Sequence, residues 1–545
     1  MRRLITASVL PFLLLSCDDR SSSQKAAEQG ILLVGNNQEP LSLDPHKATA
    51  VADGKIISAL LEGLVRPDAE DDAKVHPGAA ESWEHNAAAD EWTFQLRKNA
   101  VWSDGTPVSS HDFAYAYQRL LHPQFAGKYA EMLYPLKNAE RYNRGDCSWN
   151  EVGVETPDAH TLKLTLNGPT PHLLQLLLHF TWCPVPRHAV EANGGMLDRR
   201  SLWTKKENWV GNGAYVLSGH RHNDYLSVTA NPRYWRASEV ENRGIRFLPI
   251  VNGYTETRMF LDGKLHISNN VPPELLSVAR ERAADAYCQD PYYCTIFYRL
   301  NTTRPPLNDA RVRRALSLAV NRDALVQKVV RGAGRAAYAF TPGGAGYEAV
   351  QRPESSQSPE QRAEEARRLL EEAGFPCGKG FPTLELMTTS RDVQRVMAET
   401  IQAMWKETLG IHVEIRSCEW TAYKAAQQNM DYDISSSSWS GDYLDPATFV
   451  ELWRSGGGNN NTGWGSADCD AALEAARRSG SAAERRDYLR RAEEIMLQEQ
   501  PVIPLYRSER TYLKSPMVSG WYPLILDNHP LDAVRVQPSD TTAKP

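Results

Sequence analysis

Segments with an apolar residue at every second position alternate with segments whose apolar residues recur at helical spacing, and this alternation runs through most of the chain. Gly30 to Val34 reads as a short apolar strand, and Trp92-Thr93-Phe94-Gln95-Leu96-Arg97 and Thr161 to Leu166 alternate as strands do. Ile245 to Ile250 and Tyr292 to Leu300 are further strands, the last crossing between domains. Ser109 or Ser110 caps a helix through Asp112, Phe113, Tyr117 and Leu121, and Leu173 to Leu178 reads as a buried helix. Asn308 or Asp309 opens a helix running through Val330. Glu360 to Ala373, Asp392 to Leu409 and Ser466 to Gln500, broken at Gly480, complete the helical set. The pattern is mixed α/β. At 545 residues the chain exceeds the size at which one core stops growing, so two or three domains are expected.

The first residues stand apart. Met1-Arg2-Arg3 is basic, Leu4 to Leu15 is apolar with one Pro, and Leu14-Leu15-Ser16-Cys17 follows, which together read as a secretory signal. The apolar run is too short to span a bilayer. Its end resembles a bacterial lipoprotein signal, in which Cys17 is lipidated and becomes the first mature residue, and Asp18 resembles the signal for retention in the Gram-negative inner membrane. The expected location is the periplasm, anchored by lipid. Residues 18–30 are polar and read as a tether, and the last ten residues as disordered. Export permits disulfides, yet the seven cysteines after Cys17 contain no paired Cys-x-x-Cys, so zinc is not indicated. Cys288 and Cys294 either close a small loop or stand reduced.

A formal charge of -6, with ordinary hydrophobic and charged fractions, gives no reason to expect nucleic acid or a polybasic membrane patch. Catalytic signatures are missing: there is no Gly-x-Ser-x-Gly elbow, phosphate loop or His-Glu-x-x-His, and no cofactor or metal is expected. His220 and His222 sit two apart, as ligands on one strand face or as a solvated hairpin. Trp439-Ser440-Gly441-Asp442-Tyr443-Leu444-Asp445-Pro446 places one acid between aromatic rings in an otherwise uncharged segment. Asp442 there is either a turn-forming residue bonded to its own backbone or an anchor for a positively charged ligand group.

Several segments, in order along the chain, decide the reading. Ala80-Glu81-Ser82-Trp83, Trp92-Thr93-Phe94, Trp102-Ser103-Asp104-Gly105-Thr106-Pro107 and Asp112-Phe113 resemble the signature region of bacterial extracellular solute-binding proteins of the peptide/nickel class, family 5. Ser42-Leu43-Asp44-Pro45-His46, Asn212-Gly213-Ala214-Tyr215, Asn308-Asp309-Ala310-Arg311-Val312-Arg313, Asn321-Arg322-Asp323 and Glu372-Ala373-Gly374-Phe375 are similar to its oligopeptide-binding members. The resemblance spans roughly Ile31 to Asn528. It implies a class II-like periplasmic binding protein, two mixed α/β lobes around a cleft plus an additional domain. Domain I would combine 31–52, 182–291 and 508–545, domain II 53–181, and domain III 292–507, after a signal peptide over 1–17 and the tether over 18–30.

The resemblance also implies a function: a lipoprotein that captures extended peptides and delivers them to the permease and ATPase of an ABC importer, as a monomer and without catalysis. A peptide or murein-peptide receptor on the same fold is the alternative, and an exported hydrolase a distant one. Asp442 matches the acid that pairs with the ligand ammonium, Ser438 and Ser440 positions whose backbone bonds the ligand, and Trp439, Tyr443, Trp420, Tyr129 and Glu39 further cleft positions. The departures gather at the carboxylate end. Positions that are cationic in the oligopeptide-binding members are here Ser436, Val330 and Gln394, whereas Arg299 stands where the family has a Glu. The family's disulfide is also altered, since Cys294 aligns with one cysteine and Ser440 with its partner.

Overall fold

The computed structural model describes residues 20–538 except 345 and 391. Its secondary structure is mixed, and three larger sheets organise it. One four-stranded sheet joins, in order, Ile31–Gly35, Gly244–Leu248, Tyr225–Ala230 and Tyr215–Arg221, with only the first pair parallel. A second four-stranded sheet, wholly antiparallel, joins Ala80–His85, Glu91–Leu96, Thr161–Thr165 and Val154–Asp158. These two sheets share an apolar core that includes Leu32, Phe94, Trp102, Phe113, Leu162 and Phe247.

The third sheet has six strands in the order Gly334–Ala336, Val502–Leu513, Tyr287–Leu300, Ile434–Ser440, Leu384–Thr389 and Val413–Cys418. Helices cover both its faces, as side-chain alternation requires. Tyr298, Leu386 and Ile434 pack with Val312, Leu316 and Trp405 on one side, while Phe297 and Val502 pack with Phe449, Trp453 and Leu473 on the other. Tyr287–Leu300 and Val502–Leu513 are long antiparallel partners whose outer ends reach back to the first part of the chain, where Leu513 packs with Val271 and Leu276.

Several of the segments that resemble the family make buried structural contacts. Ser109 N-caps the helix Ser110–Leu121 with Asp112 in a capping box, and Arg119 in its last turn is buried. The Arg119 guanidinium grips Asp44 at 2.9 and 2.6 Å, and Trp203 donates to the same carboxylate at 3.3 Å. This buried ion pair holds the Asp44 carboxyl far below the usual carboxylate range against the opposing effect of burial. Asn212 brackets Glu62, accepting from its N–H at 3.0 Å and donating to its carbonyl at 2.8 Å.

The structure redraws four local expectations. The stretch read as a tether is a helix over Ser22–Glu28 with a Ser21/Gln24 capping box. Ser23 donates to the Gly263 carbonyl at 2.9 Å and its own carbonyl lies 2.9 Å from His266 Nε2, so tertiary hydrogen bonds order a segment whose composition alone would not. The helix expected through Val330 is two, Ala310–Leu318 and Arg322–Lys328, because Asn321 starts a second cap by accepting from the Ala324 N–H. Leu173–Leu176 is a single turn. The crossover strand begins at Tyr287 rather than Tyr292, since pairing with Glu509 to Leu513 supplies partners for polar residues that break the local alternation.

Cys288 and Cys294 do not close a loop: six residues apart on one extended strand they stand about 20 Å from each other. All seven described cysteines are free. The signal peptide 1–17, with Cys17, as well as Asp18 and the residues from 539 onward lie outside the described residues. Among the described residues no helix is long and apolar enough to cross a membrane.

Candidate functional site

The strand Ile434–Ser440 builds the site. On one side it pairs with the crossover strand in unbroken register from Leu300↔Ile434 to Cys294↔Ser440. On the other, Leu384–Thr389 pairs with it only at Ile434 and Ser435. Ser436 to Ser440 therefore present an edge that no strand occupies among the described residues, and such an edge is a template for an added strand. Ser438 is exposed and Ser440 half-buried along it, whereas the Trp439 ring turns toward the Phe449/Trp453 core. At the near end of the edge Tyr423 donates its hydroxyl to the Ser436 carbonyl.

Past Ser440 the chain turns sharply. Gly441 is required there, because a Cβ would meet the Tyr293 ring at 2.3 Å and Thr448 at 3.1 Å, and its N–H donates to the Tyr293 carbonyl at 2.8 Å. Asp442 follows, with its N–H donating to Thr448 Oγ1 at 3.2 Å. Its carboxylate makes no ion pair among the described residues and enters a cavity of about 210 Å³. Lys55, His179 and Phe180 line the cavity from the first part of the chain, and Tyr292, Ser440 and Tyr443 line it beside Asp442. Burial, followed by the negative charge of Glu131, pushes the Asp442 carboxyl up to about 7.

The remaining predicted residues fall into three groups. Tyr129 joins this end of the site, its ring 5.4 Å from that of His179 and 6.4 Å from that of Phe180. Tyr443 is buried and stacks on His172 at 6.0 Å, so it ties the strand end to the shared core of the first two sheets as well as lining the cavity. Glu39 is not brought to Asp442's cavity lining: its carboxylate is engaged by His220 at 2.5 Å, His222 at 3.3 Å and the Asn223 N–H at 3.1 Å. The two histidines thus share a carboxylate at a hairpin tip, and no cluster among the described residues is arranged to hold a metal ion.

Trp420, Arg299 and Gln394 belong to the other end. Trp420 is 57% exposed, which rules out a core role, and it stacks on Tyr423 at 5.8 Å between ring centroids. Arg299 is buried beneath Ser437, and Gln394 accepts from Thr389 Oγ1 on the strand beside the open edge. The spacing of residues gave no sign of Glu131, His179, Lys424 or Gln427. Each lies in an unremarkable local pattern and reaches the site only through the fold.

Comparison with known proteins agrees with this geometry. The family model for bacterial extracellular solute-binding proteins, family 5 Middle, matches residues 74–461. The chain is 32% identical over 544 residues to the periplasmic oligopeptide-binding protein OppA of Salmonella typhimurium, covering 98% of each chain. It is 32% identical to the periplasmic murein peptide-binding protein MppA of Escherichia coli, covering 93% of this chain and 92% of that one. Among solved structures, Haemophilus influenzae OppA in complex with RPPGFSPFR superposes with a TM-score of 0.82 at 31% identity, covering 93% of this chain and 99% of that one. The mixed lobes, the open strand edge and near-full-length likeness converge: this chain belongs to the bacterial extracellular solute-binding proteins, family 5.

Proposed function

We propose that this chain is the substrate-binding component of an ABC importer, capturing peptides in extended form and delivering them to a membrane permease with its ATPase. One observation carries the reading: the strand that leads into Asp442 keeps the edge Ser436–Ser440 unpaired and opens into a cavity lined from both parts of the chain. A peptide laid along that edge pairs its main chain with the strand, so affinity comes from backbone and depends little on ligand sequence. Its ammonium meets Asp442. Contacts with both lobes favour the closed arrangement, which makes closure a population shift.

The names of the relatives, oligopeptide-binding and murein peptide-binding, support peptides as the ligand class. The lobes are read as domain I (31–52, 182–291, 508–545), domain II (53–181) and domain III (292–507), with Cys17 lipidated and holding a monomer at the periplasmic face of the inner membrane. The site binds without turnover. A murein-peptide receptor is the second reading, favoured by the likeness to MppA and by the uncharged residues at Ser436, Val330 and Gln394.

Native mass spectrometry of the protein purified from its own periplasm tests this. Bound masses that fit intact linear peptides are expected, and masses that require diaminopimelate would favour the murein reading. A non-peptide ligand, or cleavage of added peptides, would overturn the proposal.

A further inference from the structure

Two arrangements recur among the buried guanidinium groups of this protein. Arg119 and Arg485 pair with the carboxylates of Asp44 and Asp445, and Arg322 donates to four carbonyls and a hydroxyl. Arg299 has neither arrangement. Only 4% exposed, it donates Nε–H to Ser437 Oγ at 3.2 Å and Nη1–H to the Asn459 carbonyl at 3.0 Å. Nη2 has no acceptor among the described residues, and no carboxylate comes within ion-pair distance. The rings of Phe297 and Trp453, at 5.2 and 5.3 Å from Cζ, supply a weak attraction and a fixed orientation.

A second cation joins it. Gln427 Nε2 donates to the same Ser437 Oγ at 3.3 Å, and Lys424 Nζ donates to Gln427 Oε1 at 3.3 Å, so hydrogen bonds link Arg299, Ser437, Gln427 and Lys424 in a chain. Lys424 forms no ion pair among the described residues, and the exposed Trp420 ring lies 5.7 Å from its Nζ. Burial and the positive charge of Arg299 lower the Lys424 pKa. Two like charges held together under partial burial repel each other unless an anion joins them. The pair is placed where such an anion would end: Ser437 lies three strand positions, about 10 Å, from Ser440, and Asp442 follows past the turn at Gly441.

We propose that Arg299 and Lys424 form the subsite for the terminal carboxylate of a short extended peptide whose ammonium is held by Asp442. This rests on the peptide reading and adds a second pole to it. Arg299 sits on the facing strand as the register partner of Ser435, on the same face as Ser437. Arg is suited to the role, since its planar fork matches carboxylate geometry and stays charged when desolvated. An extended chain of a few residues, at roughly 3.3 Å each, runs from this pair to the turn that carries Asp442.

The test is calorimetry with di-, tri-, tetra- and penta-alanine as free acids, and with the C-terminal amide and the N-acetyl form of the tightest binder. In the wild-type protein, amidation is expected to weaken binding on the order of a hundredfold, as does loss of one partner of a desolvated charge pair. In Arg299→Gln and in Lys424→Gln, the acid should fall toward the amide, while sensitivity to N-acetylation stays. The wild-type comparison of acid and amide decides the case even if Arg299→Gln fails to fold. Equal wild-type affinity for acid and amide, with N-acetylation still damaging, overturns this subsite and leaves the peptide reading standing. Failure of every free acid to bind overturns the peptide reading and the subsite with it.

Discussion

Arg485 holds Asp445 with both terminal guanidinium nitrogens, at 2.8 and 2.9 Å, three residues beyond Asp442. Asp445 also accepts from the Ala447 N–H at 2.9 Å, and Arg485 Nη2 lies 3.4 Å from His172, on which Tyr443 stacks. The turn carrying Asp442 is thus pinned from its far side by a buried pair that joins separate parts of the chain. Arg485→Met leaves the Asp445 charge buried and unpaired, which costs about 3–5 kcal/mol. Denaturant unfolding should show this loss, and peptide affinity should fall as well because Asp442 is less firmly positioned.

Asp442→Asn separates binding from stability. Removing the counter-charge of a desolvated ammonium weakens peptide binding by on the order of 3–5 kcal/mol. Ligand-free stability moves the other way. The folded carboxyl titrates near 7 against an ordinary 3.8, so between those values the folded state holds the extra proton. That contribution is fully present below 3.8 and is lost as pH rises to about 7. The variant should therefore unfold at higher temperature than the wild type at pH 8, with little advantage at pH 4.

The same carboxyl is expected to set the pH dependence of peptide binding. A bound ammonium requires ionised Asp442 and pulls its pKa down, so affinity is steady above about 7 and falls as pH drops below it. The slope approaches about tenfold per pH unit until the bound-state value is reached. Calorimetric titrations from pH 8 to 5 read this directly, and a flat profile would contradict ammonium pairing at Asp442.

The proposed strand addition along Ser436–Ser440 places the affinity in the ligand backbone. Methylating one central amide nitrogen of a bound peptide removes a ladder donor and is expected to weaken binding about tenfold. Exchanging the side chain at the same position should change affinity much less. Competition binding with matched peptides checks both, and the reverse order of effects would exclude strand addition.

Cys294 and Ser440 face each other across the strand pair, in the range that a disulfide bridges. Burial pushes the Cys294 thiol up to about 11, which keeps it unreactive in the native protein. Ser440→Cys, oxidised during export, should form the bridge, add no free thiol and stabilise the protein by about 2–4 kcal/mol. Thiol counting before and after reduction measures the first effect, and denaturant unfolding the second.

Much of the fold was legible because it rests on local periodicity. The alternation in Trp92 to Leu96, the caps at Ser109 and Asp309, and the long helices at Asp392 and Ala482 are each set by residues within a turn or two. Where a distant partner supplies the stabilising contacts, local pattern failed. Ser22–Glu28 is ordered through Gly263 and His266, and Tyr287 to Pro291 through Glu509 to Leu513.

The candidate site divides along the same line. Sequence alone determined the chemistry available: a lone acid at Asp442, a glycine before it, uncharged residues at Ser436, Val330 and Gln394, and an arginine at 299. Tertiary structure decided what those residues meet. The neighbouring strand that stops pairing at Ser435 leaves the edge beyond it open, and packing of the helix Trp420–Gln428 against that strand brings Lys424 into one hydrogen-bonded chain with Arg299. Strand pairing and helix packing join residues far apart in sequence, and no local spacing encodes such contacts.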